Sequence, residues 1–428
     1  MNTFKQNITG LVCEGACFHR LADKLPNTEK PPRGGAYGTG SAPERQQAKK
    51  MNKTTKQALI FLGSTHFLIH VYSQLLQASL PVIRQQYGLS LTEASLLVSV
   101  PMLLQILLYI PTGIMADRRA NIVLAGSFIA TVLGALLVPN SGGYLHLLVS
   151  FTLISIGSTL YHPPALKATS ELEDENKGFA MGVQNAGGSL GYSAGPLMYS
   201  LLLPLYGWRI GYYLWAPLLV AAAFYSYRYI SHIRQDNKSI TRGSIRDLIT
   251  KQFSLLVIGG ALTDATFICI STYITTYFTE SRGISPGLAG LIFGVGPLLG
   301  IIGSVLGGGL GDRIGRRGGF LMVLVGMGGA LALISLTGNI LLSGIFYVLW
   351  RSIYSASMPL VNSLIADKTS VKNRSLGYSV YSIVSNLFGA AIPPLVSLVL
   401  EVSSLEYLFP VSIGLLIPVV MIMLFQKN

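Results

Sequence analysis

The amino-acid sequence predicts an all-α membrane protein whose twelve transmembrane helices form two parallel six-helix halves. Three observations carry that prediction. Of the 428 residues, 50% are hydrophobic and 11% charged, where soluble domains average about 25% charged; the mean hydropathy is +0.53. The apolar residues gather into about twelve blocks of roughly 20 to 28 residues, the length a helix needs to cross a hydrocarbon core of about 30 Å. Finally, sequence landmarks recur at one constant offset.

The blocks run 57–83, 94–115, 121–139, 144–169, 178–205, 208–230, 252–279, 286–310, 319–337, 340–366, 375–400 and 405–425. Lipid offers no partner to a backbone amide or carbonyl, so each block must satisfy its own hydrogen bonds, as a helix does. The short alternating segments of a membrane β-barrel are absent.

The formal net charge of +13 invites a nucleic-acid partner, but the placement of the charges argues for membrane orientation instead. With the N-terminus inside, the inward segments from Lys49 onward hold Lys49, Lys50, Lys53, Lys56, Arg118, Arg119, Lys167, Lys177, Arg228, Arg234, Lys238, Arg242, Arg246, Lys251, Arg313, Arg316, Arg317, Lys368, Lys372, Arg374 and Lys427. The outward loops hold Arg84, Arg209 and Arg282. Twenty-one against three is a positive-inside bias, which predicts a multi-pass protein of the cytoplasmic membrane with both termini cytoplasmic. Membrane lipids are its expected surroundings, and a monomer is expected.

Residues 1–50 are polar, with Pro31, Pro32, Gly34, Gly35, Gly38 and Gly40, and contain no apolar block of the kind a signal peptide carries. They read as a disordered cytoplasmic tail, and Met51 opens a stretch resembling an ordinary start. The N-terminal half then covers 51–230, a basic cytoplasmic linker 231–251, and the C-terminal half 252–428. Cys13 and Cys17 in the tail lack the second pair or the histidines of a structural zinc site, so no metal is assigned there, and three cysteines make no disulfide framework.

The constant offset is 195 residues: Gly88-Leu89-Ser90 recurs as Gly283-Ile284-Ser285, Gly113 as Gly308, Asp117-Arg118 as Asp312-Arg313, Pro164 as Pro359, Lys177 as Lys372 and Gly182 as Gly377. It equals the spacing from the first span to the seventh. Parallel halves of this kind enclose a substrate site between them near mid-membrane.

Polar residues within the spans mark candidates for that site. In the first span His66, His70, Gln74 and Gln77 lie four, four and three apart, one stripe of a helix that must face protein or water rather than lipid. Asp264 is the acidic residue within the apolar interior and Arg351 the buried arginine. An unpaired buried charge is costly, so Arg351 is expected to face Asp264, another polar partner or an anionic substrate. Asp264, His66 and His70 are the candidate proton carriers, being titratable groups within the membrane. Two histidines four apart also suit a metal, but no nearby carboxylate joins them, and none is assigned. Further cavity candidates are Gln105, Tyr109, His162, Gln184, Asn185, Tyr192, Tyr354, Tyr381 and Asn386. Glu93 heads the second span, where a helix N-terminus favours an acid. No P-loop, G-x-S-x-G or Cys/His nucleophile arrangement is visible, so neither an enzyme nor a cofactor is expected, and an ion or substrate gradient supplies the energy.

The segment Gly308-Gly309-Leu310-Gly311-Asp312-Arg313-Ile314-Gly315-Arg316-Arg317 resembles the loop signature of the major facilitator superfamily, G-x-L-A-D-R-x-G-R-R. The first half carries a worn copy, Gly113 to Asn121, which keeps the Asp117-Arg118 pair and lacks the later Gly and basic residues. Its glycine is expected to let two helices approach, and its charges to form a conformational latch between helix ends. Gly182, Gly191 and Gly195-Pro196 resemble the superfamily's antiporter signature, with Tyr199 and Ser200 in place of its last two glycines; a generic glycine-rich packing helix reads the same way. Three segments resemble the fosmidomycin-resistance branch: Ser64 to Ile69 with Tyr72-Ser73, Gly157 to Pro163, and Gln184 to Gly191. The chain departs from that pattern at His70, where an acid is common, and at Pro164. The resemblance implies the facilitator fold and proton-coupled efflux of a small organic molecule or drug. Uptake or symport of an organic anion or sugar is the alternative, followed by a non-transporting membrane sensor.

Overall fold

The computed structural model describes residues 53–170, 177–229, 248, 250–370 and 373–425, which share one compact unit. The expected tail with Cys13 and Cys17, residue Met51, and the linker over 231–247 lie outside the described residues.

Among the described residues thirteen α-helices follow one another: α1 (Lys53–Ser73), α2 (Leu75–Tyr87), α3 (Leu91–Leu137), α4 (Tyr144–Ser170), α5 (Lys177–Tyr206), α6 (Ile210–Tyr213), α7 (Ala216–Tyr229), α8 (Lys251–Thr276), α9 (Pro286–Ile314), α10 (Arg316–Leu336), α11 (Ile340–Asp367), α12 (Arg374–Val402) and α13 (Leu408–Phe425). Nine stretches of the described residues are long and apolar enough to cross a membrane. One of them, Leu91–Asn140, would extend about 75 Å as a straight helix, more than twice a hydrocarbon core. It holds two spans, parted by the non-helical backbone of Arg119 (φ −147°, ψ 63°). With α5, whose glycines and amides lower its hydropathy, and the broken segment α6–α7, the spans number twelve.

The duplication is visible in the backbone. Gly88 (φ 64°) and Gly283 (φ 68°), 195 residues apart, both adopt the left-handed conformation that glycine tolerates at a helix end. Two residues on, Ser90 caps α3 by accepting from the Glu93 amide at 3.0 Å, and Ser285 caps α9 by accepting from the Leu288 amide at 3.3 Å. Glu93 completes a capping box, since its carboxylate accepts the Ser90 amide at 2.9 Å. The copies diverge at the later turn. Gly315 (φ 83°) separates α9 from α10, whereas its counterpart Ala120 cannot take that backbone cheaply, and the break falls on the extended backbone of Arg119.

Large apolar side chains on the periphery, among them Leu133, Met322, Val325 and Leu398, are exposed, as a lipid-facing belt requires. Within each half, helices meet along glycine seams. A Cβ on Gly187, Gly191 or Gly195 of α5 would collide with the carbonyls of Gly63, Phe67 and Val71 on α1, two rows that both step by four residues. On α9, Gly303 and Gly307 meet the carbonyls of Ser352 and Ala356 on α11 in the same manner.

Two expectations need correction. Gly113 and Gly308 do not mediate helix approach, since a Cβ on either would meet open space; the close contacts of α9 fall at Gly307 and Gly311 instead, on the face that meets α11. Gly182 likewise has nothing near its Cβ position and lies beside the cavity rather than in the α5 seam.

Candidate functional site

A cavity of about 770 Å³ lies between the halves. From α1–α7 it is lined by His70, Gln74, Gln105, Tyr109, His162, Asn185 and Tyr192, and from α8–α13 by Phe267, Arg351, Tyr354, Ser355 and Asn386. Two of the eleven cavity candidates stand elsewhere. Gln184 is 1% exposed, its amide oxygen accepting from Thr169 at 2.8 Å while its backbone carbonyl meets His66 Nδ1 at 2.6 Å, so it orients a histidine instead of facing the cavity. Tyr381 stands behind the wall, donating to Asp264.

The lining at Gln74 comes from an interruption between α1 and α2, where Gln74 has φ −113° and ψ 3°. Gln77 lies on the next turn, and its carbonyl accepts from Thr275 across the two halves. Irregular backbone at membrane depth is tolerated where it lines such a cavity.

On the α8–α13 side, two charges stand close without pairing. Asp264 on α8 is held by three hydroxyls: Tyr354 donates to one carboxylate oxygen at 3.0 Å, and Tyr381 and Ser385 donate to the other. Arg351 on α11 bonds to Ser355 Oγ at 2.7 Å. Its guanidinium lies over the rings of Phe267 (4.7 Å) and Tyr354 (5.3 Å). No ion pair joins Arg351 to Asp264 among the described residues. Tyr354 connects them, presenting its ring to the cation and its hydroxyl to the acid, while stacking on Phe267 at 4.3 Å. Gly296 and Gly300 leave room for the arginine, since a Cβ on either would crowd Arg351 or Ser355. A cation held by aromatic faces and one hydroxyl keeps donors for an anion from the cavity.

Across the cavity, three histidines meet. His66 and His70 of α1 approach Nε2 to Nε2 at 2.9 Å, and the ring of His162 from α4 lies 5.4 Å from His66 and 5.2 Å from His70. Tyr192 packs on His70 at 4.2 Å and is within electrostatic reach of Arg351. Gly188 makes the space, because a Cβ there would strike the His66 ring.

Tyr109 and Asn386 meet across the cavity, and a group of polar ties between the halves lies at one end of the molecule, the end of Gly88 and Gly283. Arg84 pairs with Glu280, the Thr92 amide donates to Glu401 at 2.8 Å, and Thr92 Oγ1 meets Ser397 Oγ at 2.9 Å. At the opposite end Leu166 and Phe179 are exposed. That end carries the two charged turns. Asp117 pairs with Lys167 of α4 at 3.3 Å. In the second half Arg316 pairs with Asp367 of α11, and Arg317 donates to the terminal carbonyls of Met423 (2.6 Å) and Leu424 (2.8 Å), capping α13 with a cation. Arg118, Asp312 and Arg313 lie exposed on the same turns, so the ties of the second copy come from Arg316 and Arg317, next to the turn glycine Gly315.

Several contributors carried no usable sequence signal. Ser385, Ser355 and Ser73 are common residue types whose relevance comes only from what they touch. Phe267 lies one turn after Asp264, a spacing that aligns it with the acid, but an isolated phenylalanine in an apolar span reads as lipid-facing.

This architecture, a paired helical bundle around a polar mid-membrane cavity, defines a secondary transporter. The chain belongs to the Major Facilitator Superfamily, whose sequence profile matches residues 62–394. It is 25% identical over 279 residues to the fosmidomycin resistance protein of Escherichia coli (strain K12), covering 62% of this chain and 68% of that protein. It is 24% identical over 319 residues to the probable sulfoacetate transporter SauU of Cupriavidus necator, covering 67% and 73%. Among solved structures, a bacterial homologue of the human lysosomal transporter Spinster, in an inward-facing and occupied conformation, superposes with a TM-score of 0.69 at 16% identity, covering 87% of this chain and 94% of that one.

Proposed function

We propose that this facilitator exchanges protons for a small organic molecule bearing an anionic group, and exports it across the cytoplasmic membrane by alternating access. One observation carries the reading: Arg351 faces the cavity with no carboxylate partner among the described residues, and one tyrosine, Tyr354, links it to Asp264. A substrate anion docking on Arg351 would draw on the guanidinium's remaining donors. Repositioning of Tyr354 then alters the hydrogen bonds that hold the Asp264 carboxylate, which couples substrate load to proton load at one residue's remove. The positive-inside distribution supports a reading with both termini in the cytoplasm and the open end of the cavity inward. No nucleic-acid partner belongs to this reading, and a monomer suffices for it.

The test is proteoliposome transport under an imposed pH gradient. Efflux should follow the gradient in the wild type, while Asp264→Asn should leave counterflow exchange and abolish gradient-driven accumulation. Transport indifferent both to the gradient and to Asp264→Asn would remove the proton role.

Uptake of an organic anion is the second reading. Arg351 supports it equally, as does the name of the sulfoacetate relative. Cells making the protein would then accumulate labelled substrate, and its deletion would not sensitise them to toxic compounds.

A further inference from the structure

We infer that His66, His70 and His162 form a site for a divalent transition-metal ion at the edge of the cavity. Their ligand nitrogens all lie within 4.8 Å of one another. His66 and His70 are four apart on one helix, the spacing that presents two imidazoles to one zinc ion, and His162 enters from α4 as a third ligand. Three histidines with one open position are a recurrent zinc set.

Fixed oxygens hold the outer nitrogens of His66 and His70, which aims the inner ones at a common point. His66 Nδ1 lies 2.6 Å from the Gln184 carbonyl; a carbonyl only accepts, so that nitrogen carries the proton. Ser73 Oγ lies 3.1 Å from His70 Nδ1 and 3.4 Å from the Ile69 carbonyl, so it holds the far side of the His70 ring in either tautomer. His66 therefore turns its Nε2 lone pair toward His70 Nε2 at 2.9 Å, a gap bridged either by a proton on His70 or by a metal ion that takes both nitrogens. Donation of the far N–H to a fixed oxygen is also how metal-bound histidines are oriented. For two nitrogens about 2.0–2.1 Å from a tetrahedral ion the separation is about 3.3 Å, a few tenths of an ångström from that seen.

Soft thiolates are absent from the cluster and imidazole is its only donor type, which suits Zn²⁺, Co²⁺, Ni²⁺ or Cu²⁺ over Mg²⁺ or Ca²⁺. His70 and His162 line the cavity, so the ion has a path in and its open position faces the cavity water. A proton shared by the His66–His70 pair is the competing cation, and metal load and proton load there exclude each other. Asp264 lies in the other half, so the site stands or falls independently of proton coupling through that residue.

The experiment titrates Zn²⁺, and Co²⁺ as a spectroscopic stand-in, into the purified full-length chain, with Cys13 and Cys17 replaced by serine in a parallel preparation. One equivalent should bind in both preparations and raise the thermal midpoint with metal concentration. X-ray absorption of the zinc-loaded wild type should show a nitrogen and oxygen shell at about 2.0–2.1 Å without sulfur. His162→Gln and His66→Gln should each remove the Co²⁺ bands. Ser73→Ala should weaken binding about tenfold, as loss of an orienting partner does, and Asp264→Asn should leave it unchanged. No saturable binding to the wild type would overturn the proposal, and so would a sulfur shell or binding that outlasts both histidine substitutions. A histidine pair that shares only a proton would give the first of these results.

Discussion

At the scale of single residues, the proposed function turns on Arg351. It stands in a wall of aromatic faces and, among the described residues, hydrogen-bonds to Ser355. A charge-assisted hydrogen bond is worth about 1.5–3 kcal/mol, so Arg351→Ala should weaken binding of an anionic substrate about ten- to a hundredfold in a direct binding assay. Arg351→Lys should recover only part of it, because an ammonium neither forks onto an anion nor stacks on Phe267 as a guanidinium does. Unchanged affinity in Arg351→Ala would show that the substrate's charge, if any, lies elsewhere. The sequence marks Arg351 and Asp264 because ionisable groups within apolar spans are costly wherever they fall. It is silent on their relation, which passes through the two ends of one tyrosine and needs the crossing of α8 and α11 to be seen. The same holds for the histidines: His66 and His70 announce themselves by helical spacing, whereas His162 joins them only because α4 packs beside α1.

At the scale of helices, glycine does two separate jobs that look alike in sequence. Gly88, Gly283 and Gly315 end helices with a positive φ, and of these the first two are legible from the repeat itself. Gly187, Gly191 and Gly195 instead let α5 lie against the α1 carbonyls, and they overlap the stretch that resembles an antiporter signature. Their contacts account for that stretch by packing, so direction of transport has to be argued from the cavity. The seam has a measurable consequence. Overpacking a tight contact costs about 1–3 kcal/mol, and at Gly191 the obstacle is backbone, which cannot rotate away. Gly191→Val should therefore lower the thermal midpoint and the yield of monodisperse protein, while Gly182→Val, facing the cavity with nothing near its Cβ position, should fold like the wild type. Equal stability of both variants would contradict the α1–α5 contact. The twelve spans themselves are readable to within a few residues, because lipid forces apolar length. What composition hides is continuity: the second and third spans form one helix with a break at Arg119, since the turn there lacks the glycine its repeat partner keeps.

At the scale of the whole molecule, several polar ties between the halves lie at one end and the cavity reaches toward the other, so under the proposed alternating access the structure is one of two states. Each tie is weak taken singly. The Arg84–Glu280 pair belongs to a class worth about 0–1 kcal/mol, the Thr92–Ser397 bond is a neutral one of about 0.5–1.5 kcal/mol, and the Thr92 amide on the Glu401 carboxylate is the strongest at about 1.5–3 kcal/mol. That suits a closed end that must open in every cycle, because ties summing to many kcal/mol would hold one state permanently. The Thr92 and Ser397 oxygens lie 2.9 Å apart, so cysteines at both positions would stand within disulfide reach. In a background with Cys13 and Cys17 replaced, and with Cys269 buried, Thr92→Cys with Ser397→Cys should oxidise readily in the resting protein. The bond holds this end shut, so transport should stop while substrate still binds from the open end, and reduction should restore turnover. Full transport by the oxidised protein would mean that the halves do not part here, and the alternation of access would have to come from movement within a half.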